Sequence, residues 1–140
     1  MEQIHIKHTS KVRKKLVQEA ATWIGTPYKY GGIDRIDGTD CSGFVLMVYK
    51  NIIGEKLPRN SAKQAEFCIP IDATDIKAGD LVFFATGKDP HKVSHVGIVL
   101  DDENFIHAST SKGVVVSKLS SNYYIQRFRM FGRTPGMKKL

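Results

Sequence analysis

Cysteine is scarce in this chain: Cys41 and Cys68 are the only two in 140 residues. Two cysteines build no disulfide framework. They allow one bridge, or one working thiol and one spare. There is no Cys-x-x-Cys pair and no His-Glu-x-x-His stretch, so a zinc site has no support and no metal is expected. No apolar run approaches the length of a membrane span. Residues Met1 to Ser10 are polar and basic, with Ile4 and Ile6 alone, and no cleavable export signal is expected there. Internal repeats are lacking, as is any composition break that would mark a second unit. The expectation is one domain over residues 1–140, with a core at about 11–133. Residues 1–10 and 134–140 are then terminal extensions, with Lys138-Lys139-Leu140 a frayed tail. The chain is expected to be a monomer.

Acidic residues are outnumbered. The formal charge is +7, with 41% apolar and 25% charged residues. The balance is that of a soluble globular protein, and its sign suits polyanionic surroundings such as an anionic envelope polymer. The basic residues gather near the ends, in Lys11-Val12-Arg13-Lys14-Lys15 and Lys138-Lys139. No basic stripe interleaved with aromatics is visible, which argues against nucleic acid as a partner.

What is present is organised around Asp40-Cys41-Ser42-Gly43-Phe44-Val45-Leu46-Met47-Val48-Tyr49. Asp40 is a good N-cap, and the apolar run after Cys41 reads as a buried helix to about Ile53, stopped by Gly54. The Cys41 sulfur then sits in the first turn, where free backbone N–H groups and the helix dipole favour the thiolate. An inert core cysteine is the ordinary alternative.

Upstream, Lys11 to Ile24 reads as an amphipathic helix capped by Ser10, with a basic outer face. Tyr28-Lys29-Tyr30-Gly31-Gly32 and a loop through Asp34, Asp37 and Gly38 follow, and their spacing is not that of a calcium loop. Downstream, Asn60 or Ser61 can cap a short helix, Ala62 to Phe67. Arg59 is placed to meet a substrate carboxylate, with a solvated arginine as the plainer reading. Leu81-Val82-Phe83-Phe84, apolar throughout, reads as a strand covered on both faces. Val114-Val115-Val116 and Tyr124 to Phe131 read as further strands.

A second chemical group lies in Ser94-His95-Val96-Gly97-Ile98-Val99-Leu100 and Asn104-Phe105-Ile106-His107-Ala108-Ser109. The core-like positions, Val96, Ile98, Leu100, Ile106 and Ala108, are all even-numbered. Pairing even with even needs an odd-length connection, such as a three-residue loop at 101–103. That register puts His95 opposite Ser109, His107 opposite Gly97, and both histidines on the other face as diagonal neighbours. Gly97 is expected to leave open space beside them. His5, His8 and His91 have no such setting.

A thiol at a helix start with two neighbouring imidazoles is the equipment of acyl transfer. Cys41 is the candidate nucleophile and His95 the acid–base. His107 orients the His95 ring. The Cys41 N–H, with the Tyr28 hydroxyl, can receive the oxyanion. All three groups must then meet in one water-accessible crevice.

Six blocks in order resemble the NlpC-type family of bacterial cell-wall cysteine peptidases. They are Tyr28-Lys29-Tyr30-Gly31-Gly32, Asp40-Cys41-Ser42-Gly43-Phe44, Leu57-Pro58-Arg59, Gly79-Asp80-Leu81-Val82-Phe83-Phe84, Ser94-His95-Val96-Gly97-Ile98 and Phe105-Ile106-His107-Ala108-Ser109. The resemblance runs from about Val17 to Gly132. It implies an α+β, papain-like fold in which N-terminal helices, including the cysteine helix, pack on a small antiparallel sheet. It implies hydrolysis of peptidoglycan stem peptides, commonly between γ-D-glutamate and a diamino acid, or in some members at the D-alanine–diaminopimelate cross-link. The triad it implies is Cys41, His95 and His107. Tyr28 would line the oxyanion site, Asp40, Ser42 and Ser94 the substrate groove, and Arg59 is a weaker candidate. No metal or organic cofactor is implied. The implied location is the cell envelope, for a mature or trimmed chain, with a toxin delivered into competitors as a second possibility. The alternatives are an acyltransferase on a lipid or small molecule, a non-catalytic envelope-binding module, and a structural Cys41–Cys68 bridge.

Overall fold

The computed structural model describes residues 10–140; the polar stretch before Ser10, with His5 and His8, lies outside them. Helix α1 (Lys11–Ala21) is capped by the Ser10 hydroxyl, which accepts from the Arg13 N–H at 3.1 Å. Leu16, Ala20 and Trp23 turn inward as the helical spacing predicts, but the helix stops at Ala21, short of the expected Ile24, which is exposed. The basic face does not hold at Arg13, which is fully buried. Its guanidinium donates to the carbonyls of Ala78 (2.7 Å), Met137 (3.1 Å) and Leu140 (2.6 Å) and to the Asp80 carboxylate (3.1 Å). Asp80 in turn receives Arg133 at 3.0 and 2.8 Å. A buried charge persists only when it is paired and hydrogen-bonded in this way.

The network corrects the reading of the C-terminus. Leu140 packs on the core and Met137 is buried. Residues 135–137 form a 3-10 turn capped by Thr134. Arg13 therefore anchors a tail that looks free in the sequence.

Strands β1 (Ile33–Asp34) and β2 (Gly38–Thr39) form a small hairpin before helix α2 (Cys41–Ile53). Asp40 caps α2 through the Gly43 N–H at 2.7 Å, and Gly54 ends it in the left-handed conformation at φ 67°. Gly43 has no room for a Cβ, which would run into the Gly32 carbonyl; the paired-glycine loop lies directly on the helix start. Helix α3 (Ser61–Phe67) is capped by Asn60.

The main sheet is antiparallel and six-stranded, in the order β3-β8-β4-β5-β6-β7. Its strands are β3 (Ile69–Ile71), β4 (Leu81–Phe84), β5 (His95–Val99), β6 (Asn104–Ser109), β7 (Gly113–Lys118) and β8 (Phe128–Arg133). Strand β3 escapes the sequence reading because Pro70 argues against a strand, yet it lies at the sheet edge, where a missing N–H is tolerated. The segment read as one strand from Tyr124 instead begins as a short helix, α4 (Asn122–Arg127), and only then becomes β8. In α4, Tyr124 folds back over Phe84 and Phe105, with ring centroids 4.9 and 5.0 Å apart.

The hairpin register is the expected one. Ile98 pairs with Ile106 and Val99 with Phe105, and Asp101 fixes the tight loop by accepting the N–H groups of Glu103 and Asn104 at 2.8 Å. Val96, Ile98, Ile106 and Ala108 join the core under α2. Val82, Phe84, Val99, Phe105 and Phe131 form a second core on the opposite face.

Candidate active site

Cys41 is the first residue of α2, and its sulfur points at the start of β5, 4.0 Å from the Ser94 carbonyl oxygen. The N–H groups of Val96, Ser42 and Cys41 itself favour the thiolate, but burial outweighs them and pushes the thiol up to about 11. The expectation of a dipole-favoured thiolate is thus corrected: desolvation wins over the helix start. Cys41 and Cys68 are both free thiols, so no bridge joins them.

Next to the Ser94 carbonyl, His95 opens β5. Its Nε2 lies 2.8 Å from His107 Nδ1, with the two rings nearly perpendicular. The other nitrogen, Nδ1, makes no hydrogen bond to the described residues. The sealed, unpartnered side-chain polar atoms among them are Trp23 Nε1 and Gln64 Oε1. His95 is 8% exposed. His107 is sealed at 1% exposure. Its ring packs in a triangle with those of Phe105 and Tyr124, at centroid distances of 4.6 and 5.4 Å, and its Nε2 lies 2.8 Å from the Ser117 hydroxyl. Burial holds both imidazoles neutral, His95 down to about 4 and His107 to about 3.

A groove of about 370 Å³ runs over this point, lined among others by Tyr28, Asp40, Cys41, Ser42, Arg59 and Ser94. Cys41 lines it, and neither histidine does. The open crevice of the sequence reading is in fact a groove floored by a thiol, with the histidine pair behind it. Gly97 offers no open space either: a Cβ there would come within 2.7 Å of a Phe105 ring carbon.

The groove residues are largely engaged with one another. Both Asp40 oxygens accept from Arg59, at 3.1 and 2.9 Å, and also from the N–H groups of Gly43 and Gly31. Arg59 further donates to the Ser42 hydroxyl at 2.9 Å. The guanidinium proposed for a substrate carboxylate thus holds Asp40, a bidentate partner of the same chemistry. The Ser94 hydroxyl accepts from the N–H groups of Thr86 and Gly87, at 2.8 and 3.1 Å, and shapes the 85–93 loop. The Tyr28 hydroxyl makes no hydrogen bond to the described residues. Burial and the nearby Cys41 and Asp40 raise its pKa, which keeps it a phenol able to donate.

Sequence reading missed Ser117, Tyr124 and Gln64. Gln64 is buried and donates to the carbonyls of Ser42 and Pro58, tying α3 to the start of α2. Ser117 was accessible to the parity argument, since it shares the odd-numbered face of β7 that continues from His107. His91 is exposed, in the loop between β4 and β5. Among the described residues, no group of three or more His, Cys, Asp or Glu side chains is arranged to hold a metal ion, and no helix is long and apolar enough to cross a membrane.

The pattern of the NlpC/P60 family matches residues 25–133. A protein of Escherichia coli named probable endopeptidase NlpC is 44% identical over 113 residues, which cover 81% of this chain and 72% of that one. The E. coli murein DD-endopeptidase MepS/murein LD-carboxypeptidase is 35% identical, over 84% of this chain and 60% of its own. The crystal structure of the NlpC/p60 domain of the peptidoglycan hydrolase SagA superposes with a TM-score of 0.75 at 31% identity, covering 87% of this chain and 98% of that domain. The helices packed on an antiparallel sheet are the α+β, papain-like arrangement of these relatives, and the chain belongs to the NlpC/P60 family.

Proposed function

We propose that this protein is a cysteine endopeptidase that hydrolyses peptidoglycan stem peptides, at the bond between γ-D-glutamate and a diamino acid. The observation that carries the reading is the 2.8 Å contact of His95 with His107 at the strand start facing the Cys41 sulfur. The names of the relatives support the substrate class and a site of action in the cell envelope.

At rest, the thiol and both imidazoles are neutral. The step the geometry suits is a transfer of the thiol proton to His95 Nδ1 as the sulfur attacks the carbonyl. Burial disfavours each ion separately, but the thiolate–imidazolium pair is neutral overall. The developing oxyanion is received by the Cys41 N–H and the Tyr28 hydroxyl. His95 then protonates the leaving amine, and water enters to hydrolyse the thioester with His95 as base. His107 accepts from His95 Nε2–H throughout, which leaves His95 Nδ1 as the nitrogen free to take the thiol proton.

The test is digestion of purified peptidoglycan by the protein and by Cys41→Ala, with mass spectrometry of the soluble fragments. The reading expects new termini at γ-D-glutamate from the first and none from the second. Equal absence of fragments from both would leave a non-catalytic wall-binding module. A second reading, cleavage of the D-alanine–diaminopimelate cross-link, is favoured by the similarity to the murein DD-endopeptidase; fragments ending in D-alanine would select it.

A further inference from the structure

His107 is a sealed, neutral ring with a neighbour at each nitrogen: His95 at Nδ1 and Ser117 at Nε2, both at 2.8 Å. A neutral imidazole carries a single N–H, so it donates on one side and accepts on the other. Two arrangements satisfy the distances. In the first, His107 carries its proton on Nε2, donates to the Ser117 oxygen and accepts from His95 Nε2–H. In the second, Ser117 donates to Nε2, and His107 Nδ1–H donates to His95.

The two differ at the far end of the chain of contacts. The first leaves His95 Nδ1 bare and able to take a proton from the sulfur. The second puts the proton of neutral His95 on Nδ1, so that neither of its nitrogens is left to take a proton from the thiol. Once His95 is an imidazolium, both its nitrogens are donors, and the second arrangement would set N–H against N–H. A serine oxygen has two lone pairs as well as its proton; it accepts from His107 Nε2–H and can turn its own proton elsewhere.

The register makes this contact a property of the fold. Phe105 pairs with Ser117 and His107 with Val115, so Ser117 is the diagonal neighbour of His107 on the odd-numbered face. His95, His107 and Ser117 run across three adjacent strands, β5, β6 and β7. Phe105 and Tyr124 both pack on the middle ring.

We propose that Ser117 is a positioning residue of the candidate triad: its hydroxyl oxygen holds His107 in the Nε2–H tautomer, which leaves His107 Nδ1 to accept from His95 and His95 Nδ1 free to receive the thiol proton. The proposal rests on the triad reading above. No proton passes between His95, His107 and Ser117; the one that moves goes from sulfur to His95 Nδ1.

Histidine-selective ¹⁵N labelling and long-range ¹H–¹⁵N correlation at pH 7 read the tautomer directly. Wild type is expected to show His107 protonated at Nε2 and bare at Nδ1. Ser117→Ala is expected to lose that preference and to lower kcat on a soluble stem peptide by roughly tenfold, with KM little changed. Ser117→Thr, which keeps the hydroxyl, is expected to restore both. A wild-type His107 protonated at Nδ1 overturns the proposal, as does Ser117→Ala with unchanged kcat, whatever its tautomer. The spectrum needs no turnover. If the protein cleaves no peptidoglycan, the peptidase reading falls on its own, and the tautomer measurement still decides whether Ser117 sets His107.

Discussion

Gly97 faces His107 across the β5–β6 hairpin with no gap: a Cβ at Gly97 would sit 3.1 Å from the His107 Cβ. The same Cβ would lie 3.0 Å from the Ile106 carbonyl oxygen and 2.7 Å from a Phe105 ring carbon. Phe105 cannot swing away freely, because Phe84 and Tyr124 pack on it at 5.2 and 5.0 Å. The glycine leaves room for the His107 side chain beside β5, where its ring reaches His95.

Gly97→Ala is therefore expected to cost about 1–3 kcal/mol through overpacking and to displace His107. Peptidoglycan cleavage should fall more than stability does, because the His95–His107 contact tolerates little movement. Urea unfolding and fragment release, measured on the same preparation, check the pair of effects. Full activity in a destabilised variant would count against the geometry.

Asp80→Ala tests the network that ties the two ends of the chain together. It would leave the fully buried Arg13 with carbonyl partners alone and remove both contacts of the carboxylate with Arg133. Breaking a buried pair from one side costs about 3–5 kcal/mol, a large part of the stability of a small domain. Hydrogen exchange should show the 134–140 segment opening first, since the Leu140 and Met137 carbonyls depend on the same guanidinium.

These two cases mark what could and could not be read in advance. The hairpin register was legible because even-numbered apolar positions recur on both strands and the Asp101-Asp102-Glu103 turn leaves one loop length that matches them. The cysteine helix was legible from its cap, its apolar run and Gly54. Arg13 was not, because in a run of basic residues it looks solvated and its partner Asp80 lies 67 positions away. Tyr124 was misread because its aromatic and apolar neighbours, Tyr123 and Ile125, suit a strand as well as a helical turn. The fate of the thiol was also hidden. The helix start is visible in the sequence, whereas the depth of its burial is a property of the packed whole.

That depth governs the reactivity of the two thiols. Burial pushes Cys41 up to about 11 and Cys68 to about 12, so neither should alkylate quickly at neutral pH. Cys41 lines the groove, while Cys68 packs behind Gly132. Iodoacetamide is expected to label Cys41 first, on access, with a rate that climbs steadily from pH 7 to pH 9. Peptide mass spectrometry gives both rates. A Cys41 rate already level by pH 6 would show a resting thiolate and restore the dipole argument.

The histidine pair also sets a pH dependence whose sign follows from burial. Folding lowers His95 from 6.5 to about 4 and His107 from 6.5 to about 3. Between pH 6.5 and 4 the unfolded chain binds protons that the folded one refuses, so stability rises with pH across that window. Acidification from pH 7 should thus destabilise the protein, by up to about 1.4 kcal/mol per pH unit for each histidine. Urea midpoints at pH 7.5, 6 and 5 should decline in that order, and His107→Gln should flatten the trend. Activity carries the same signature. His95 must be neutral to take the thiol proton, so the acid limb of kcat/KM is expected near pH 4, well below that of a solvated imidazole. An acid limb at pH 6.5 would mean that His95 meets water in the working enzyme, and the groove would then have to open beyond the sulfur to admit it.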